Sequence, residues 1–196
     1  MAVYNISAND AAKRFCGGKA LTPGDVAAAE QKLCISFPDE LRAVYLDCGG
    51  FDIGAKSRVF SPDYISRLEG EDTAYIIGTS GERLACIFSK DMGSDDPDVY
   101  LGTLAGRSLD FSVSQKLSQL LRWVIFEAVT EKYGEVIGVD DKGEIDELAR
   151  KLSLDKASLT DGTPDSCFIS IADGGKTVFA NTDANGEIAV LVVIDG

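Results

Sequence analysis

Residues 21–50 read LTPGDVAAAEQKLCISFPDELRAVYLDCGG, and the fold follows from them. Thr22 can cap a helix N-terminus, Pro23 suits the first helical position, and Asp25 falls in the first turn, where a carboxylate meets the positive end of the helix dipole. Val26, Ala29 and Leu33 then recur at helical spacing. Pro38 opens a second helix, and Asp39 and Glu40 favour its positive end. Leu41, Val44, Tyr45 and Cys48 follow the i, i+3, i+4, i+7 pattern of a buried face. Gly49 can take the left-handed conformation that stops a helix. Two short helices, each with one apolar stripe, need another layer to cover them.

That layer lies downstream. Upstream there is only a short helix, Asn9 to Phe15, stopped by Gly17 and Gly18. Arg58 to Phe60 reads as a strand, and Ser61-Pro62 starts a helix of one or two turns that ends before Gly70. Ala74–Ile77 and Leu84–Phe88 flank Thr79-Ser80-Gly81-Glu82, a hairpin with a longer loop, and Asp98–Leu101 is the next strand. The pattern predicts a long helix over Val113–Lys132. Ser112 and Gln115 form a capping box, Leu117, Leu120, Leu121, Val124, Ile125 and Ala128 make the stripe, and Gly134 ends it.

The remaining third is more acidic. It reads as a strand at Val136–Val139, a helix at Glu144–Leu152, a polar linker at Thr160–Asp165 and three strands. These are Cys167–Ile171, Lys176–Ala180 and Glu187–Ile194, with turns at Asp173-Gly174-Gly175 and Asp183–Gly186. The order implies an α+β fold, with helices packed against a mainly antiparallel sheet. Residues 1–133 are expected to form its core, and residues 134–196 a C-terminal extension of helix and β-meander, either packed on the same core or a small appended unit.

Composition removes most chemistry. The chain has no histidine among its 196 residues, which excludes Ser-His-Asp triads, Cys-His dyads and His-ligated metals. No dinucleotide fingerprint, phosphate loop or nucleophile elbow occurs. Cys16, Cys34, Cys48, Cys86 and Cys167 are odd in number and contain no C-x-x-C pair, so neither a disulfide framework nor a zinc site is expected. They read as small core residues in a reducing compartment. Cys48 at a helix C-terminus is placed to be a poor nucleophile, because the dipole there raises a thiol pKa. Asn181, Asp183 and Asn185-Gly186 match the front of a calcium loop, but Val192 stands where the bidentate carboxylate is needed, so a hairpin turn is the reading. These observations predict a protein with no catalytic residues, no cofactor and no metal. The longest apolar run, Ile188–Ile194, is strand-sized and the N-terminus lacks a signal-peptide pattern, so a cytoplasmic protein is expected.

A net charge of −13 argues against nucleic acid and anionic lipid as partners and suits a basic protein. Asp91, Asp95, Asp96 and Asp98 cluster in one loop. Such a run can be a solvated loop, a partner-facing surface or a metal site. Asp140 and Asp141 belong to a second acidic group at a helix start, where carboxylates are favourable in any case. These six are the partner-binding candidates.

Ala29-Glu30, Leu33, Phe37-Pro38, Leu41, Tyr45-Leu46 and Gly49-Gly50 together resemble the opening of the SUKH superfamily. Tyr75-Ile76-Ile77-Gly78, Gly81, Leu84–Phe88, Asp98-Val99-Tyr100 and Ser112–Leu117 are similar to its hairpin, next strand and final helix. The likeness covers Leu21 to Lys132. This chain has Cys34 where the family usually has Gly after the first helix. It has Ser89 where an acidic residue commonly stands, and Val113 and Lys116 where aromatics are common. The resemblance implies a binding protein. Many relatives neutralise secreted polymorphic toxins, often nucleases or deaminases, and others are regulatory or interaction modules without a toxin. It identifies a scaffold and not an active site.

Overall fold

The computed structural model describes residues 4–15, 18–52, 57–70, 72–105, 108–132, 137–172 and 174–194. In chain order the elements are β1 (Tyr4–Asn5), α1 (Ala8–Phe15), α2 (Pro23–Leu33), α3 (Asp39–Cys48), β2 (Phe51–Asp52), β3 (Arg58–Val59), β4 (Ser66–Leu68), β5 (Ala74–Ser80) and β6 (Arg83–Phe88). Then follow β7 (Asp98–Ala105), β8 (Ser108–Lys116), α4 (Leu117–Lys132), β9 (Ile137–Val139), α5 (Lys142–Lys151), β10 (Cys167–Ile171), β11 (Thr177–Thr182) and β12 (Ile188–Ile194). Helices combine with two antiparallel sheets in an α+β fold. The chain divides into two compact units, residues 9–129 and residues 1–8 with 130–196. The readings that involve Cys16, Gly17, Gly134, Val136 and Asp173 lie outside the described residues.

Helix α2 begins with a reciprocal cap. The Asp25 amide donates to Thr22 Oγ1 at 3.2 Å, and the Thr22 amide donates to Asp25 Oδ2 at 2.9 Å. The Thr22 hydroxyl, which donates to Asp25 Oδ2 at 2.7 Å, and after it the Thr22 amide hold the exposed Asp25 carboxyl below its ordinary range. Glu30 then ties the two helices together. Its Oε1 accepts from the Phe37 amide at 2.7 Å and from the Arg42 guanidinium at 2.6 Å. In α3 the predicted stripe of Leu41, Val44, Tyr45 and Cys48 is buried throughout, and Phe37 packs edge-on to Tyr45 at 5.1 Å between ring centroids.

The two helices end alike with different residues. Gly49 closes α3 at φ 71°, and Cys34 closes α2 at φ 56°. Cys34 therefore holds the left-handed conformation with a Cβ. That conformation costs an L-residue about 1–2 kcal/mol, partly offset because glycine loses about 0.4–1 kcal/mol more on folding. Cys34→Gly should raise stability by about 0.5–1 kcal/mol, seen as a higher urea midpoint at unchanged slope. A lower midpoint would show that the left-handed cap carries no strain.

In the unit of residues 9–129 the strand order is β2-β3-β5-β6-β7-β8, with β4 also on β5. Two features differ from expectation. The β5–β6 hairpin is tight, with Ser80 opposite Arg83 and only Gly81-Glu82 between them. The predicted helix over Val113–Lys132 begins only at Leu117. Residues 108–116 form β8, paired with β7 from Ala105↔Ser108 to Asp98↔Lys116. Leu109, Phe111 and Val113 alternate with polar residues, a period of two that suits a strand. Ser112 and Gln115 are strand residues, and α4 starts only after them. Similarly, only a 3-10 turn, Pro62–Tyr64, forms after Ser61, and β4 follows.

In the other unit the order is β1-β10-β11-β12-β9. The meander forms as predicted, and the N-terminal strand β1 joins its edge through Tyr4↔Ile171. One face packs on α5: Ile145, Leu148 and Ala149 meet Phe168, Val178, Ala180, Leu191 and Val193. Asp183 Oδ1 accepts from the amides of Asn185 and Glu187 at 2.8 and 3.0 Å, so the calcium-like run is a hairpin turn.

Candidate partner-binding surface

The β6–β7 connection, residues 89–97, holds its shape through local bonds and one apolar anchor. The Asp91 amide donates to the Phe88 carbonyl at 2.9 Å, the Ser94 amide donates to the Asp91 carbonyl at 3.0 Å, and Met92 is buried. Its three acidic residues, and Asp98 at the start of β7, have different tasks. Asp96 caps α4: Oδ1 accepts from the Ser118 amide at 2.9 Å and Oδ2 from the Ser118 hydroxyl at 2.8 Å. It also lies close enough to Glu40 to act on it. Burial first, and Asp96 second, push the Glu40 carboxyl up, while Arg122 opposes them. Asp98 pairs with Lys116 at 2.9 Å. Asp91 is half-buried and Asp95 exposed, and among the described residues neither forms an ion pair.

The second acidic group stands in the other unit. Asp141 is the N-cap of α5, accepting from the amides of Gly143 and Glu144 at 2.8 and 3.2 Å. Asp140 precedes it and is exposed.

The sheet of residues 9–129 has two unlike faces. Tyr75 lies on the face toward α2, where its hydroxyl donates to the Leu33 carbonyl at 3.3 Å; Ile87, opposite Tyr75, shares that face and is buried. On the other face Ala74, Ile76 and Cys86 are buried beneath Phe60, Leu68, Leu84, Phe88 and Phe111, a cluster without a helical residue. Register puts Tyr100 there, opposite Cys86. Phe88, Tyr100 and Phe111 form a triangle of edge-on rings, with centroids 4.9, 5.4 and 5.8 Å apart. All three are only half-buried. The sequence reading began a helix at Val113 and left Phe111 outside any element, so it missed this group; the alternation around Phe111 was the signal.

A cleft of about 860 Å³ lies elsewhere in the same unit, lined by residues that include Lys19, Cys48, Arg58 and Tyr64. Its described lining holds no carboxylate side chain and no histidine. Burial first, and Asp47 second, push the Cys48 thiol up to about 11, which keeps it protonated and unreactive near neutrality. Burial likewise pushes Cys86 up to about 11. Among the described residues no group of three or more His, Cys, Asp or Glu could hold a metal ion, and no helix is long and apolar enough to cross a membrane.

Comparison with known proteins agrees with the scaffold. No individual curated protein and no solved structure matches the chain. The sequence model of the SMI1 / KNR4 family (SUKH-1) matches residues 20–194. The match begins at the α2–α3 motif and continues past Lys132, where the likeness read from individual residues stops, through the C-terminal meander. With so much of its length matched, the chain belongs to the SMI1 / KNR4 family (SUKH-1).

Proposed function

We propose that this chain is a binding protein without catalytic activity that neutralises a cognate toxin domain in the cytosol by occupying it. Membership of a family whose domains bind partner proteins supports the binding role. One observation carries the choice of partner. In a chain of net charge −13, the β6–β7 loop, held in place by the buried Met92, presents Asp91 and Asp95, which form no ion pair among the described residues. A toxin that acts on nucleic acid needs a cationic cleft for phosphate, and carboxylates on a firm loop can fill that cleft without touching its chemistry. The unit of residues 9–129 is assigned the binding work. Asp98 and Asp96 serve it indirectly, one paired to Lys116 and one holding α4.

The test uses the toxin domain encoded beside this gene, with association followed by stopped flow. Long-range attraction speeds encounter and fades as the Debye length shrinks to about 3 Å near 1 M salt. The on-rate should fall by about tenfold or more between low and high salt. Asp91→Asn with Asp95→Asn should reproduce much of that loss and leave the off-rate nearly unchanged. Asp96 is unsuitable for this test because its replacement uncaps α4. An on-rate indifferent to both salt and substitution removes the electrostatic mechanism, and failure of the toxin domain to bind at all removes the neutralising role.

A further inference from the structure

We propose, resting on that binding role, that the outer sheet face around Phe88, Tyr100 and Phe111 is the apolar centre of the interface. Its occupant is a cationic protein segment whose Arg or Lys side chains reach Asp91 and Asp95. Three observations converge on this face. The first is its construction. Helix α2 takes the other side of the sheet, while here a thin layer of rings covers Ile76 and Cys86 and stays half-exposed itself. Interfaces draw most of their energy from aromatic anchors of this kind at a patch centre.

The second observation is adjacency. β6 ends at Phe88 and runs straight into the acidic loop, and β7 leaves that loop at Asp98 and reaches Tyr100. Carboxylates therefore stand at the rim of the aromatic patch. The third is charge. Ring faces attract cations, and Lys90 Nζ lies 5.5 Å from the centroid of the Phe88 ring. The two lysines of this region already have carboxylate partners: Lys116 pairs with Asp98 at 2.9 Å, and Lys90 with Asp72 at 3.9 Å. A docking cation thus meets aromatic rings and two carboxylates that form no ion pair among the described residues, although Asp91 also attracts Lys116 at longer range. The cleft beside Tyr64 is the poorer seat for such a partner, since Lys19 and Arg58 line it.

Two measurements on the full chain test this. In the first, a synthetic hexa-arginine peptide is titrated while aromatic and backbone NMR shifts are followed. Shifts should concentrate at Phe88, Tyr100, Phe111 and the loop, and disappear in the Asp91→Asn, Asp95→Asn variant. Shifts spread evenly over all acidic residues, or none at these rings, overturn the inference. In the second, Phe88→Leu and Phe111→Leu keep apolar bulk over Cys86 but remove the rings. With unchanged melting profiles, each should raise the off-rate from the neighbouring toxin domain by about tenfold. Wild-type off-rates in both variants overturn the aromatic centre and leave neutralisation standing. If the toxin domain does not bind even the native chain, neutralisation fails instead, and the peptide titration alone decides the surface.

Discussion

Leu41→Ala is expected to lower the free energy of unfolding by about 2–5 kcal/mol. Leu41 is 0% exposed on the inner side of α3, one turn from Val44 and Tyr45, which are equally buried. Truncation removes apolar contacts and leaves a cavity. The wall cannot close readily, because α3 is held at both ends: by Glu30 through Arg42, and by the Leu21 amide, which donates to the Tyr45 carbonyl at 3.0 Å. Tyr45 supplies the contrast. Its hydroxyl is buried without a hydrogen-bond partner among the described residues, and burial pushes its pKa far up. A buried unsatisfied hydroxyl costs about 1–3 kcal/mol, so Tyr45→Phe should be neutral or stabilise by about 1 kcal/mol. Tyr45→Ala should cost about 3–5 kcal/mol, as loss of a buried ring does. Denaturant titration of the three variants separates these cases. A Leu41→Ala loss below about 1 kcal/mol would mean that α3 is not a core element.

Gly49→Ala should be comparably severe, for a different reason. At φ 71° an alanine pays about 1–2 kcal/mol for the left-handed region. Its Cβ would also stand 2.2 Å from the carbonyl oxygen of Lys19. That oxygen is backbone, and the Leu21 amide, which donates to the Tyr45 carbonyl at 3.0 Å, fixes the segment that carries it. Relief would require the 18–21 segment to part from α3, at a further cost of about 1–3 kcal/mol. The total expected loss is about 2–5 kcal/mol. Gly81→Ala is the control. Gly81 has φ 58° in the β5–β6 turn, and a Cβ there meets nothing within 4 Å. It should lose only the conformational part, about 1–2 kcal/mol. Thermal unfolding of both variants reads the difference. Equal losses would show that close packing against Lys19 contributes nothing.

The Gly49-Gly50 pair thus serves folding, as does Glu30 where it spans α2 and α3. The family motif is a device for joining two helices, and it says little about what the protein binds. That explains why family membership was readable from residues 21–50 while the surface was not.

Local signals determined a definite part of this protein. Caps, turn residues and periodicity act between neighbours in the chain, so α2, α3, α5 and the C-terminal meander could be read without the fold. Their observed bounds lie close to the predicted ones. What failed was non-local. Ser112 and Gln115 look like a capping box, yet β7 claims those residues as a strand, and the cap of α4 comes from Asp96, 22 residues before Ser118. The same pairing brings Phe111 beside Phe88 and Tyr100. Four aspartates looked equivalent in the loop. Only the tertiary structure assigned Asp96 to a helix end and Asp98 to Lys116, while Asp91 and Asp95 form no ion pair among the described residues. The reason is that a side chain's role is set by which groups lie within bonding distance. For residues joined across a sheet or by a long loop, strand register fixes that neighbourhood, and spacing along the sequence does not.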